Sequence, residues 1–158
     1  MYDTILVPTD GSEVAEIAVE HALDLAEKYD ATLHALYVVD TDAMDLSLGT
    51  EQVDRIRAGQ FGEMEELQRD ARNATGRVMK QADERGIPTI EHIAAGRPHR
   101  VITNYAEKEG VDMIVMGSHG RGGVKRVLLG SVAERVLRTA RIPVLVVDAR
   151  QAEETGDE

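Results

Sequence analysis

The sequence contains no cysteine and no tryptophan, and its aromatic residues are limited to four tyrosines and one phenylalanine. The absence of cysteine excludes disulfide bonds, thiol catalysis and cysteine-ligated metal sites. No apolar run approaches the roughly 18 residues of a transmembrane helix, and the N-terminus shows no basic region followed by an apolar stretch. We therefore expect a cytoplasmic protein without a membrane span or a secretory signal.

Lysine is also scarce. Only 4 of the 18 basic residues are lysines, against 29 acidic residues, and the formal net charge is −11. A surface of this kind argues against nucleic-acid binding, which needs basic patches. Two interpretations of the negative charge stay open, namely adaptation to a salt-rich cytoplasm and the ordinary solubility of an acidic protein.

The 158 residues suit a single domain in which short apolar runs alternate with segments of helical spacing. The predicted strands are Thr4–Pro8, Thr32–Val39, Pro88–Ala95, Asp112–Met116 and Pro143–Val147. Helices are predicted after Ser12, from Met64 to Ala82, after Pro98 and from Ser131, while residues 41 to 60 are predicted to form a loop with one helical turn. The domain is expected over residues 1–148, and the acidic tail 149–158 is expected to be disordered.

This alternation predicts a doubly wound α/β domain, in which a parallel sheet is covered by helices on both faces. Ligands of such sheets bind at the carboxyl ends of strands, where the winding direction reverses. Two loops that contain glycine and polar residues, 8–12 and 117–130, follow carboxyl ends of predicted strands.

The second of these loops carries the pattern Gly117-x2-Gly120-x9-Gly130-Ser131 between a strand and a helix. A glycine-rich loop lets backbone N–H groups approach an anion, and the helix N-terminus adds a favourable dipole. The loop also holds three basic residues, Arg121, Lys125 and Arg126. These features favour a phosphate-bearing ligand, although the pattern matches neither a Walker A loop nor a Rossmann fingerprint.

Structural alternatives exist for the same residues. The loop is equally compatible with a flexible surface segment, Ser131 with Glu134 forms a Ser-x-x-Glu capping-box pattern, and Asp10 suits a turn before the first helix. His119 is a candidate general base or metal ligand. No second histidine stands at metal-ligand spacing, so a hydrogen bond to the ligand is the preferred role. His21 and His34 are expected to be partly buried structural residues.

The chain resembles the universal stress proteins of the UspA-like type, in the subgroup with an ATP-binding motif. The resemblance rests on Ile5-Leu6-Val7-Pro8-Thr9-Asp10-Gly11-Ser12, on the glycine pattern above and on Ile142-Pro143-Val144-Leu145-Val146-Val147. It implies an adenine nucleotide alpha hydrolase-like fold with strand order 3-2-1-4-5, which places the first and fourth strands side by side.

The resemblance also implies a set of ligand-binding residues, with ATP as the ligand and Mg²⁺ held through its phosphates. Adenine and ribose would be framed by Pro8, Thr9, Asp10 and Val39. The ribose and phosphate side would be lined by Met116, Gly117, His119, Gly120 and Arg121. Backbone N–H groups and one hydroxyl for the phosphates would come from Gly130, Ser131 and Val132.

The sequence shows no nucleophile pair, carboxylate dyad or obvious water-positioning residue. The preferred function is therefore a nucleotide-dependent sensor or regulator in stress response. A slow ATPase and a nucleotide-independent interaction protein remain the alternatives. The fifth strand, Val144–Val147, would lie at an open sheet edge without a charge or proline, which predicts a homodimer paired along this strand.

Overall fold

The computed structural model describes residues 1–41, 65–119 and 129–148, and within them strands and helices alternate. The strands are β1 (Thr4–Pro8), β2 (Thr32–Asp40), β3 (Thr89–Gly96), β4 (Met113–Gly117) and β5 (Val144–Val147). The helices are α1 (Glu13–Tyr29), α2 (Glu65–Glu84), α3 (Pro98–Lys108) and α4 (Ser131–Thr139). The predicted elements are confirmed in type and order, with ends that differ by one or two residues. Of the predicted loop 41–60, residues 42–60 lie outside the described residues, as do Met64 and the tail 149–158.

The first helix shows how local sequence sets the element ends. Ser12 has extended backbone angles and its hydroxyl accepts the N–H of Ala15 at 3.3 Å, which caps the helix start. At the other end, Asp30 adopts the left-handed conformation with φ 54°, and its N–H returns to the carbonyls of Ala26 and Glu27. The helix therefore begins and ends where its caps lie.

All strand pairs are parallel, and the order across the sheet is β3-β2-β1-β4-β5. The central strand β1 is covered on both faces, and its residues Ile5, Leu6 and Val7 are fully buried. Ile5 and Val7 belong to a cluster with α1 and the C-terminal half of α2, whereas Leu6 belongs to a cluster with α3 and α4. This arrangement confirms the doubly wound fold with helices on both faces.

The sheet ends unevenly at its carboxyl edge. The pairing of β1 with β2 stops at Pro8 and Leu36, whereas β2 and β3 remain paired as far as Asp40 and Gly96. At about 3.3 Å per residue, the four extra residues carry β2 roughly 13 Å beyond the end of β1. The β2–β3 pair thus forms a wall beside the end of β1.

Two further predictions concern the burial of His21 and His34. His34 lies in β2 and is 6% exposed, so its burial is confirmed. The expectation for His21 is wrong, because this residue is exposed on the solvent side of α1. None of the helices in the described segments is long and apolar enough to cross a membrane.

Candidate functional site

A crevice lies where the winding of the sheet changes direction. β1 and β4 are neighbours, with Ile5 opposite Met113 and Leu6 opposite Ile114. From β1 the chain proceeds outward to β2 and β3, whereas from β4 it proceeds to β5 on the other side. Crossovers that diverge in this way leave an opening outside the carboxyl ends of the two central strands, which is where doubly wound proteins bind ligands.

One side of the crevice is the turn from β1 to α1. The N–H of Thr9 donates to the carbonyl of Leu36 at 2.8 Å, so the chain stays attached to β2 beyond the end of β1. The Asp10 carboxylate accepts the N–H of Ser12 at 2.9 Å, and Gly11 has φ 78° in the left-handed region. Asp10 therefore forms the turn, as the structural alternative predicts. A carboxylate has about four acceptor positions, so this hydrogen bond is compatible with a second one to a ligand.

The opposite side is the start of α4. Gly130 is the N-cap residue, Ser131 is the first helical residue, and no side chain in the described part of the chain caps this end. The capping-box prediction for Ser131 is wrong, because a serine at the first helical position is one residue too far along to act as N-cap. The side chain of Ser131 is exposed instead.

The first intrahelical hydrogen bond of α4 runs from the N–H of Glu134 to the carbonyl of Gly130 at 3.0 Å. The N–H groups of Ser131, Val132 and Ala133 precede it and so have no acceptor within the helix. The start of α1 differs, since Ser12 caps it and its first turn holds two acidic residues, Glu13 and Glu16. The first turn of α4 holds one, Glu134, which forms an ion pair with Arg138. Of these two helix starts, α4 is the better suited to an anion.

Gly130 is packed against the end of β4. Its N–H donates to the carbonyl of Ser118 at 2.6 Å. A Cβ atom at Gly130 would lie 2.9 Å from the Cα of His119 and 3.0 Å from the Ser118 oxygen. The packing of the chain itself therefore disfavours any larger residue here, independently of a ligand.

Gly117 makes the corresponding contact with α1. A Cβ atom at this position would lie 3.0 and 3.1 Å from the two methyl carbons of Val14. The small residue thus allows the end of β4 to pack against the first turn of α1. His119 follows, partly buried, with its Nδ1 3.1 Å from the hydroxyl oxygen of Ser118.

The structure accordingly places several of the predicted residues at the carboxyl ends of β1 and β4 and at the adjoining start of α4: Thr9, Asp10, Gly117, His119, Gly130 and Ser131. Gly120 and Arg121, together with Lys125 and Arg126, lie outside the described residues. Within the described segments, no group of three histidine, aspartate or glutamate side chains is arranged to hold a metal ion.

Two predicted residues offer little side-chain surface. Val39 is 3% exposed in a cluster with Tyr37 and α2, and Met116 is 5% exposed in the cluster beneath α3 and α4. Val132 likewise packs against that second cluster. Contacts of Met116 and Val132 with a ligand would therefore depend mainly on their main-chain atoms.

The main chain of β2 adds a residue that the sequence analysis missed. The N–H of Leu33 points to β3, where it donates to Pro88, while the carbonyl of Leu36 points to β1. Main-chain groups alternate along a strand, so Val39 faces β3 and Val38 faces the space beyond the end of β1. The alternating direction of main-chain groups along a strand could have identified Val38 from the sequence. This alternation can be used only when the register of β2 with both neighbouring strands is known.

Fold and site together define a doubly wound α/β domain with a helix N-terminus and a glycine-bearing loop at its switch point. The sequence model described as the universal stress protein family matches residues 1–148. The chain belongs to this family.

Relatives support the same assignment. Universal stress protein MJ0531 of Methanocaldococcus jannaschii is 40% identical over 148 residues, which cover 93% of this chain and 82% of the relative. The solved structure of MJ0577 from the same organism is 35% identical, with a TM-score of 0.76, and the match covers 94% of this chain and 96% of that one. A universal stress protein from Archaeoglobus fulgidus in complex with dAMP has a TM-score of 0.63 over 92% of this chain and 98% of its own. At 19% identity, this third structure shows only the shared fold.

Proposed function

We propose that this protein binds ATP in the crevice between the ends of β1 and β4 and acts as a nucleotide-dependent sensor or regulator in stress response. The observation that carries the proposal is the start of α4, which has no side-chain cap in the described part of the chain and adjoins the end of β4. The N–H groups at such a helix start, together with the helix dipole, favour the binding of a phosphate group.

The phosphates would bind at this helix start. The N–H groups of Ser131 and Val132 and the exposed Ser131 hydroxyl would be the donors. The backbone of His119 lies next to Gly130, and its ring would add a further hydrogen bond to the ligand. Gly120 and Arg121 belong to the same loop and would contribute close backbone approach and positive charge. Mg²⁺ would be held by the phosphate oxygens, since oxygen ligands and retained waters suit this ion.

The nucleoside would lie against the β2–β3 wall. Asp10 can accept a hydrogen bond from a ribose hydroxyl while it keeps its bond to Ser12. The N–H and carbonyl of Val38 face the same side and match the acceptor and donor on the Watson–Crick edge of adenine. Pro8 and Thr9 would complete the contact surface for base and ribose, and the buried Val39 would support this surface from within the sheet.

Regulation fits these residues better than fast hydrolysis. Asp10, the carboxylate of the β1–α1 turn, already orders that turn, and the sequence supplies no nucleophile pair or carboxylate dyad. A slow ATPase stays the alternative of the enzyme class, and a nucleotide-independent interaction protein is the alternative of the binding class. We further propose a cytoplasmic homodimer paired along β5, which is an edge strand of the sheet.

The first test is mass spectrometry of freshly purified, denatured protein for retained ATP, ADP or AMP. The second is calorimetry of ATP binding to Asp10→Asn, in which the amide oxygen keeps the turn but a ribose acceptor is lost. The control is Asp30→Asn, which changes the same charge at a left-handed position that asparagine tolerates. Loss of affinity in Asp10→Asn alone supports the site. No retained nucleotide and no measurable ATP affinity of the native chain would overturn the proposal.

A further inference from the structure

A cluster of titratable aromatic rings lies between β2, β3 and α3. The Nδ1 atom of His34 is 2.7 Å from the hydroxyl oxygen of Tyr105. The Tyr105 ring stacks on His92 with a centroid distance of 5.1 Å and an interplanar angle of 29°, and it meets His34 edge-on at 5.7 Å. One tyrosine of α3 thus contacts histidines of two neighbouring strands.

The groups that face His34 come from each element packed on its side of the sheet. His92 lies on β3, Tyr105 lies on α3, and Glu109 is the C-terminal cap of α3. The neighbour on β1 is the apolar Leu6. His34 itself is 6% exposed, so an imidazolium here would lose most of its hydration.

Protonation changes what the His34–Tyr105 hydrogen bond can be. A neutral imidazole with its proton on Nε2 can accept the Tyr105 O–H at Nδ1, whereas an imidazolium carries N–H groups on both nitrogens and accepts nothing. The hydroxyl would then have to reverse its role and direct its own hydrogen elsewhere. Burial and Glu109 raise the pKa of Tyr105, so its hydroxyl keeps its proton at neutral pH.

The cluster is one of the contacts that hold α3 on the sheet. Ile102 and Ala106 of α3 pack with Leu36 of β2 in the apolar cluster of that face, next to Tyr105. We propose that His34, Tyr105 and His92 form an acid-sensitive contact that fastens α3 to β2 near neutral pH and releases it by local opening when His34 takes up a proton.

The direction of the effect follows from burial. Burial lowers the pKa of His34 below its ordinary value of 6.5, Glu109 opposes this, and His92 adds a smaller lowering. In the open state His34 titrates near 6.5, so the open state binds more protons than the closed state between the two pKa values. The contact is at full strength above pH 6.5 and weakens as the pH falls from 6.5 towards the lowered pKa.

The test is hydrogen exchange of the full chain at pH 7.5 and 5.5, expressed as protection factors for peptides of α3 and of α1. We expect protection of α3 to fall several-fold more than that of α1, since each pH unit in the titration window changes the equilibrium by up to tenfold. His34→Gln, which cannot be protonated, should remove this difference. The matched control is His21→Gln, because His21 is exposed on α1.

An equal loss of protection in α3 and α1, or an unchanged difference in His34→Gln, would overturn the proposal. If His34→Gln does not fold, the ring proton shifts of His34 in the native chain decide the question by NMR titration. A His34 pKa below its ordinary value of 6.5 supports the acid-sensitive contact, and a pKa at or above this value overturns the contact. Neither readout depends on nucleotide, so the result stands apart from the fate of the proposed function.

Discussion

The N–H of Gly130 donates to the carbonyl of Ser118 at 2.6 Å, although the two residues are twelve positions apart in the sequence. This hydrogen bond fixes the first turn of α4 at the end of β4. It explains how a helix start without a side-chain cap is held in one position: the N-cap residue is anchored through its main chain. Gly130 therefore has a structural role that does not depend on a ligand.

Gly130→Ala should destabilise the protein and weaken ATP binding together. The new Cβ would lie 2.9 Å from the Cα of His119, and neither backbone can move aside cheaply. Overpacking of this kind costs about 1–3 kcal/mol. Urea denaturation measures the loss of stability, and calorimetry measures the loss of affinity.

The control for this substitution is Gly76→Ala in the middle of α2, where a Cβ would meet no atom within 4 Å. It should raise the free energy of unfolding by about 0.5–1 kcal/mol, because alanine favours the helix. Native stability in Gly130→Ala would contradict the close packing of Gly130 against Ser118 and His119.

Ser131→Ala and Ser12→Ala should separate ligand binding from helix capping. Ser131 is exposed at the first position of α4 and caps nothing in the described chain, so its removal should change stability by less than about 0.5 kcal/mol. ATP affinity should fall by roughly 1 kcal/mol, or about fivefold, for the lost hydroxyl. Ser12 caps α1, and its loss should cost about 0.5–2 kcal/mol of stability.

Thermal melts and ATP titrations of both variants, made in parallel, provide the measurement. A drop in melting temperature for Ser131→Ala equal to that for Ser12→Ala would show that Ser131 is a capping residue after all. Unchanged ATP affinity in Ser131→Ala would remove its hydroxyl from the site.

Leu145→Lys should convert the proposed dimer to a monomer. Leu145 is 37% exposed on β5. The carbonyls of Pro143 and Val147 accept from Ile114 of β4 and from Ser118 just after it, so the main chain of Val146 faces the open edge. A lysine side chain on an edge strand opposes pairing with a second copy. Ile90→Lys is the control, since Ile90 is 50% exposed on β3 at the opposite edge.

Light scattering during gel filtration checks this prediction, with 17.3 kDa as the mass of one chain. The native chain and Ile90→Lys should elute at twice this mass at micromolar concentration. A native chain that elutes as a monomer would refute the dimer.

Added salt should stabilise the protein. The net charge of −11 makes the folded chain repel itself in dilute buffer, and salt screens this repulsion because the Debye length falls from about 10 Å at 0.1 M to about 3 Å at 1 M. We expect the melting temperature to rise between low and molar KCl. A flat or falling trend in both KCl and NaCl would argue against adaptation to salt.

The strands and helices were predictable because their signals are local. Ile5 to Val7 form an apolar run that becomes the fully buried centre of the sheet, and the Ser12 signal marks the start of α1. Strand order came from the family resemblance, because composition does not say which strands are neighbours.

The sequence was less informative for residues whose role depends on the three-dimensional arrangement of the chain. Ser-x-x-Glu describes residues 131–134, but a glycine can occupy the N-cap, and only the structure shows that Gly130 does so. His21 shares the helical spacing of the buried residues of α1 yet lies on its exposed flank. The role of Val39 at the site stays a prediction, whereas the main-chain direction of Val38 towards the space beyond β1 follows only from the register with β1 and β3.

The main-chain hydrogen bonds of Ser118 have a consequence for assembly. Its N–H donates to the carbonyl of Val147, the last residue of β5, and its own carbonyl accepts from Gly130 at the start of α4. The edge strand β5 and the start of α4 are thus connected through two hydrogen bonds of the same residue. If a bound anion shifted α4, these hydrogen bonds would carry the shift to the strand along which two chains are proposed to pair. Occupancy and association would then share a coupling free energy, and linkage makes it reciprocal: the factor by which nucleotide tightens the pairing equals the factor by which pairing tightens nucleotide.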